Sequence, residues 1–281
     1  VGSVLLLIFN LSMVMEPSWY GISGTPAEAS MKAMKYSFVT VGFWWALFSQ
    51  YSFYHLPKGN SSGKVNKDIL WNGFLELKKV WNQLDNYLTL KKFLPAFFVY
   101  STALQTVFLI ATYFGEGEIS WASSQQKTVG LIVSILLIQI VAIFGAYGTA
   151  TIAKKYGNIT TLIGVNFICA GLCLFAFFIT TPIQFYIAAA GVGMVMGGIQ
   201  ALSRSTYSKL IPKTKDTTSF FSFYDVTEKI GIIIGMAMFG TIDQFTGSMR
   251  NAILFFVILF LSGALLLTRI PNRFFKNHLK D

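Results

Sequence analysis

Eight apolar stretches constrain this chain more than anything else in it. A helix needs about 20 apolar residues to cross the hydrocarbon of a bilayer. Segments 37–56, 93–113, 129–152, 160–179, 183–204, 220–241 and 252–270 supply such runs, and 1–15 supplies a shorter one. Inside hydrocarbon every backbone N–H and C=O must find its partner within the structure, so the expected form of each is an α-helix. Pro17, Pro57, Pro95, Pro182, Pro212 and Pro271 fall near the edges of these segments. Proline lacks an N–H and clashes one turn back, so it belongs at helix starts and just past helix ends. The pattern predicts an all-α membrane protein with about eight transmembrane helices, none interrupted by proline in its middle.

Composition removes the competing classes. Only 12% of the 281 residues are charged, against about 25% in a soluble domain, while 54% are hydrophobic, including 27 Phe and 6 Trp. A disordered chain, a disulfide-stapled secreted scaffold and most soluble enzymes are excluded. The two cysteines, Cys169 and Cys173, lie one helical turn apart inside segment 160–179 and read as small packing residues. The chain opens at Val1 directly in an apolar run, without the basic stretch that begins a signal peptide. The expectation is a piece of a longer protein.

Charge gives orientation. The formal net charge is +10. In so apolar a chain the surplus belongs in cytoplasmic loops rather than on nucleic acid. Loop 57–92, loop 154–158, stretch 204–219 and the tail after 268 hold 17 of the 22 basic residues. The alternate loops hold Lys32, Lys35, Lys127 and Arg250, and Lys229 lies inside a segment. The first set is therefore expected to be cytoplasmic, the C-terminus with it. Within the long loop, 58–67 (KGNSSGKVNK) reads as a flexible linker. After it, Leu70, Phe74, Leu77, Trp81, Leu84 and Leu88 recur at helical spacing with Lys78, Lys79, Gln83 and Asp85 between them. Two readings fit: an amphipathic helix on the inner membrane surface, and a linker helix packed on the bundle's own loops. The organisation expected is two helices in 1–56, a basic cytoplasmic loop in 57–92, a six-helix bundle in 93–271 and a cytoplasmic tail in 272–281. A twelve-helix transporter built from two six-helix halves would end this way, with four helices ahead of this chain.

Particular residues sharpen that reading. Stretch 197–212 is GGIQALSRSTYSKLIP, and 220–229 is FFSFYDVTEK ahead of an apolar, glycine-containing helix. The third segment carries Tyr100 and then Leu104-Gln105-Thr106. In these motifs the chain resembles the major facilitator superfamily, and within it the family of the autophagy-related vacuolar amino-acid effluxer and its bacterial relatives. The resemblance implies a multi-pass secondary transporter working by alternating access on a small polar solute, with amino-acid efflux as the finer expectation. It also implies a helical bundle of the major facilitator type and no cofactor. Three positions depart from the family pattern. Ser101 and Thr102 stand where relatives carry an Asn-Asp pair, Glu228 stands where a small residue is common, and the loop after the fourth segment is Lys154-Lys-Tyr-Gly-Asn158 with no acidic residue.

Polar groups near mid-membrane are costly, and each is a candidate for function. Lys229 lies about 14 Å into its segment at 1.5 Å per residue. Asp225 is one turn earlier and can pair with it, and Glu228 is adjacent. Gln105, Gln139 and Gln200 sit at comparable depth on three other helices. In the superfamily the corresponding helices line the central cavity, and amides suit a zwitterionic or polyol ligand. The expected substrate-binding or coupling set is thus Gln105, Gln139, Gln200, Asp225, Glu228 and Lys229, with a coupling proton as an added partner. A structural alternative stands beside each, namely an interhelical hydrogen bond or an intrahelical ion pair. At about 100° per residue, Gly193, Gly197, Gln200 and Arg204 share one narrow stripe. This points to a packing and gating surface with Arg204 at the cytoplasmic mouth; the alternative is a positive-inside anchor. His55, His278, Trp44, Trp45 and Trp121 read as interfacial or packing residues, and no metal-binding or phosphate-binding motif appears. The expected setting is a bacterial cell membrane, with a vacuolar membrane as the alternative. The competing functions are a membrane scaffold or receptor and an integral-membrane enzyme.

Overall fold

The computed structural model describes residues 2–56, 69–212, 214 and 216–270; the linker 58–67 and the tail 272–281 lie outside the described residues. Among the described residues the regular elements are all helical: α1 Gly2–Met15, α2 Pro26–His55, α3 Ile69–Gln83, α4 Leu88–Glu118, α5 Ser124–Tyr156, α6 Asn158–Phe178, α7 Pro182–Leu210, α8 Thr217–Thr246 and α9 Met249–Thr268, with short 3-10 turns at Pro17–Tyr20 and Leu84–Asn86. Every one of the eight apolar segments is a helix. By length and composition α4, α5, α6, α7 and α9 qualify as membrane spans, and α1 has a shorter apolar run. Helices α2 and α8 are 30 residues each; α2 carries Glu28, Lys32 and Lys35 in its first third, and α8 carries Asp225, Glu228, Lys229 and Asp243.

Several helices outrun the apolar stretches that announced them. Helix α2 starts eleven residues before position 37, at a capping box in which Thr25 accepts from the Glu28 N–H and Glu28 accepts from the Thr25 N–H. Apolar length marks only what crosses hydrocarbon, whereas the i→i−4 ladder continues until a cap stops it. Helix α4 corrects one expectation. It begins at Leu88, so Pro95 lies inside it rather than at its edge. The missing proline N–H leaves the Lys91 carbonyl without its helical donor, and the exposed position of Lys91 at the helix start lets solvent take that role.

The chain divides into two units, Val1–Lys67 and Asp68–Asp281. In the first, α1 packs on α2. Met13, Ala29 and Ala33 are buried, and the Thr40 hydroxyl donates to Asn10 Oδ1 at 2.8 Å. In the second, α5 lies against α7, α6 against α9, and α4 against both α8 and α9. The α5–α7 contact is close enough for backbone to meet backbone. A Cβ at Gly145 would stand 1.9 Å from the Met194 carbonyl oxygen, and one at Gly193 would stand 2.6 Å from that of Ile138. Such approach is what small residues permit in membrane helix pairs. The core is aromatic where α4, α7 and α8 converge. Phe97 stacks on Tyr224 at 4.1 Å, and Tyr207 lies 4.8 Å from Tyr224. Each such pair adds about 0.5–1.5 kcal/mol beyond its buried area.

Candidate functional site

Helix α8 sets the site through its register on α4. At about 100° per residue, Tyr224, Glu228, Gly231 and Gly235 share one face. That face meets α4: a Cβ at Gly231 would lie 2.7 Å from Thr102 Oγ1, and one at Gly235 would lie 2.0 Å from Thr106 Oγ1. The two glycines thus draw α8 down onto α4 and aim the residue one turn earlier, Glu228, at Gln105. The Gln105 amide donates to the Glu228 carboxylate. Tyr100 completes this wall, its hydroxyl 2.7 Å from Ser203 Oγ on α7. Ser203 also donates to the Ile199 carbonyl, so its own proton is committed and Tyr100 is the donor between them.

A cavity of about 310 Å³ opens where these three helices part. Its polar lining is Tyr100, Ser101 and Gln105 from α4, Gln200, Ser203 and Arg204 from α7, and Tyr224 and Glu228 from α8. Arg204 spans two helices. Its Nη2 donates to Asp225 Oδ1 at 3.0 Å, and its guanidinium lies over the Tyr224 ring at 5.7 Å. A fixed cation and a carboxylate therefore stand on the walls of one space.

The structure sorts the sequence-derived set. Gln105, Gln200, Glu228 and Arg204 come together at the cavity, and Asp225 joins them through Arg204. Gln139 does not line it; it is half-buried on α5, which contributes nothing to the lining. Lys229 is also outside. Asp225, expected one turn from Lys229 as its partner, is taken by Arg204 instead, and Lys229 is exposed without an ion pair among the described residues. The reason is angular. Lys229 is about 100° round the helix from Glu228, off the face that the glycines fix. The stripe on α7 likewise divides. Gly193 and Gly197 press on the α5 backbone, while Gln200 and Arg204, further along, face the cavity.

Sequence reasoning passed over Ser203 and Tyr224. Both sit in the motifs that carried the family resemblance, and a helical wheel anchored on Gly231 and Gly235 would have found Tyr224. The loop lacking an acidic residue is closed by neutral contacts: Asn158, buried at the start of α6, donates to Thr206 Oγ1 at 3.1 Å. A second, smaller cavity of about 80 Å³ near Cys169 and Cys173 is walled by Leu104, Ile110, Phe185 and other apolar side chains, and offers a polar solute nothing to bind. No group of side chains suited to a metal ion occurs among the described residues.

A family model described as "Vacuole effluxer Atg22 like" matches residues 1–276. The chain is 28% identical to an uncharacterized MFS-type transporter, YxiO, of Bacillus subtilis over 97% of its own length and 61% of the relative's. It is 27% identical to autophagy-related protein 22 of Eremothecium gossypii, over 80% of this chain and 46% of that protein. Against the Saccharomyces cerevisiae protein of the same name it is 26% identical, over 70% of this chain and 38% of that one. The chain thus spans less than two thirds of the length of these relatives.

Proposed function

The chain belongs to the vacuole effluxer Atg22-like family, and on that premise we propose that the cavity between α4, α7 and α8 is one wall of the solute site of a secondary transporter that works by alternating access. Membrane-spanning helices and transporter relatives support this reading over a scaffold or an enzyme. The solute in this proposal is a free amino acid. The observation that carries it is that Arg204 of α7 and Glu228 of α8 line one cavity. A zwitterion presents a carboxylate to the first and an ammonium to the second. Arg204 spends one hydrogen bond on Asp225 and keeps donors in its planar fork for a second carboxylate. Glu228 gives one oxygen to Gln105 and keeps the other. The volume lies at the lower end for small-molecule sites, which suits a compact solute. Glu228 is also the group placed to carry a coupling proton, because the Gln105 side chain accepts as well as donates. The basic loops support a cytoplasmic C-terminus, and the similarity to the Bacillus relative over nearly the whole chain supports a bacterial cell membrane rather than a vacuolar one.

The test is counterflow of labelled amino acids, with matched amines and carboxylic acids as competitors, by the full-length transporter in proteoliposomes. Zwitterions are expected to exchange, and compounds carrying one charge alone to compete weakly. Glu228→Gln should abolish exchange while Lys229→Gln leaves most of it. Equal loss from both, or no preference for zwitterions, would overturn this assignment of the site.

A further inference from the structure

The segment that precedes the bundle, α3, has two apolar faces. One is used. Val80 and Leu84 are buried, and Trp81 meets Phe223 of α8 at 6.1 Å between ring centroids. Taking that buried face as origin and about 100° per residue, Trp81, Phe74, Lys78, Trp71 and Leu75 follow in an adjacent arc of roughly 120° that also holds Asn82. All five are exposed, Trp71 at 65% and Phe74 at 55%. Trp71 and Phe74 stack on each other at 5.5 Å and leave their outer surfaces bare. The polar strip carrying Glu76, Lys79 and Gln83 is narrow and lies on the far side. A helix that has already buried one apolar face does not need a second unless something covers it.

Charge says what covers it. Lys79 is neutralised by Glu76 at 3.5 Å, and Lys91 by Asp85. Lys78 and Lys92 make no ion pair among the described residues, and Lys78 rises from the middle of the aromatic arc. Two tryptophans and a phenylalanine around an uncompensated lysine, with no carboxylate on that face among the described residues, are the side chains that settle at a lipid headgroup layer. The rings enter the acyl boundary and the ammonium reaches up to phosphate. Geometry confines the helix to that layer. Only four residues, 84–87, separate α3 from α4, a membrane span by length and composition. At about 3.4 Å per residue that tether cannot exceed roughly 14 Å.

We propose that α3 is a membrane-surface helix that inserts Trp71, Phe74 and Leu75 into the bilayer interface and binds anionic lipid phosphate through Lys78. Its opposite face holds α8, the helix of Asp225 and Glu228, so lipid composition acts directly on an element of the solute site. The proposal rests on α4 being a membrane span and not on the identity of the solute.

Spin labels on single cysteines at positions 71, 74, 75, 76 and 83 of the full-length protein, in a background with Cys169 and Cys173 replaced by alanine, test it in nanodiscs. Labels at 71, 74 and 75 should collide several-fold more with oxygen than with a water-soluble nickel chelate, and labels at 76 and 83 should show the reverse. Preference for nickel at 74 would overturn the proposal, since the face would then be in water. Protection from both reagents would also overturn it, since protein would then cover the face. In nanodiscs with phosphatidylglycerol added to phosphatidylcholine, the label at 74 should sit deeper, and Lys78→Gln should remove that difference. Depth independent of phosphatidylglycerol would refute the anionic-lipid part. The ratios do not depend on which side of the membrane α3 occupies or on transport, so they stand or fall apart from the solute site.

Discussion

Arg250 and Arg204 each reach a carboxylate on another helix, in very different settings. Arg250, at the start of α9, donates through Nε to Glu118 of α4 at 2.7 Å. Its Nη1 donates to the Phe177 carbonyl at the end of α6 at 2.6 Å, and its Nη2 to the Glu118 carbonyl at 3.1 Å. The guanidinium also lies over the Phe114 ring. The two side chains are 19% and 23% exposed. Arg204 makes one bond to Asp225, and that pair is 60% and 54% exposed. A guanidinium bonded three ways across three helices admits one arrangement. A guanidinium with a single open bond, worth about 0–1 kcal/mol in such a setting, can exchange its carboxylate for another at little cost. The bundle is therefore stapled at the end that carries Arg250 and adjustable at the cavity, which suits the proposed uptake and release of a charged solute.

Removing the staple should cost the most. Arg250→Leu leaves Glu118 part-buried and unpaired, and should destabilise the protein by about 3 kcal/mol, the lower end for breaking a buried pair. Thermal unfolding in detergent reads this directly, and an unchanged midpoint would make the two arginines equivalent. Removing the guanidinium at the cavity should behave oppositely. Arg204→Gln should move the midpoint by no more than the equivalent of about 0.5 kcal/mol yet slow exchange at least about tenfold, a 1.4 kcal/mol effect. If Arg204→Gln melts early and Arg250→Leu does not, the roles are reversed.

A milder change falls at the start of α8. Asp216 caps the helix, accepting from the Ser219 hydroxyl at 2.8 Å and the Ser219 N–H at 3.3 Å. These bonds, the side-chain one first, hold its carboxyl below the usual carboxylate range. A carboxyl lowered by folding contributes stability above its unfolded pKa and loses it as pH falls through the folded value. The first turn of α8 should therefore fray in acid, seen as a lower protection factor of the Ser219 amide, relative to its intrinsic exchange rate, below the normal carboxylate range. Asp216→Asn, which also caps well, should flatten that pH dependence. An unchanged profile in the Asn variant would remove Asp216 from the account.

Much of the architecture was legible in the order of residues. Apolar runs of membrane length located the helices because hydrocarbon leaves the backbone no other partner, and Gly193 and Gly197 marked a surface where helices would pack. Helix ends were less legible. The beginning of α2 is set by a Thr25–Glu28 cap outside the apolar run, and Pro95 is carried inside α4 because the turn before it is held in place by tertiary contacts at Leu90 and Phe93.

Residue order alone reveals the set of charged and amide groups placed in the apolar segments, since each is visible as a costly exception in its run. Which of them meet was decided by the tertiary structure. Lys229 and Glu228 are neighbours in the chain and equally deep, and depth alone drew attention to the lysine. The contact of Gly231 and Gly235 with Thr102 and Thr106 fixes the rotation of α8, turning Glu228 to Gln105 and leaving Lys229 about 100° away. Asp225 then finds Arg204 across the gap between α7 and α8 rather than the lysine one turn along its own helix. Rotation about a helix axis costs the sequence pattern nothing and is settled only when neighbouring backbones lock together. For that reason the cavity, unlike the helices that enclose it, could be read only from the folded chain.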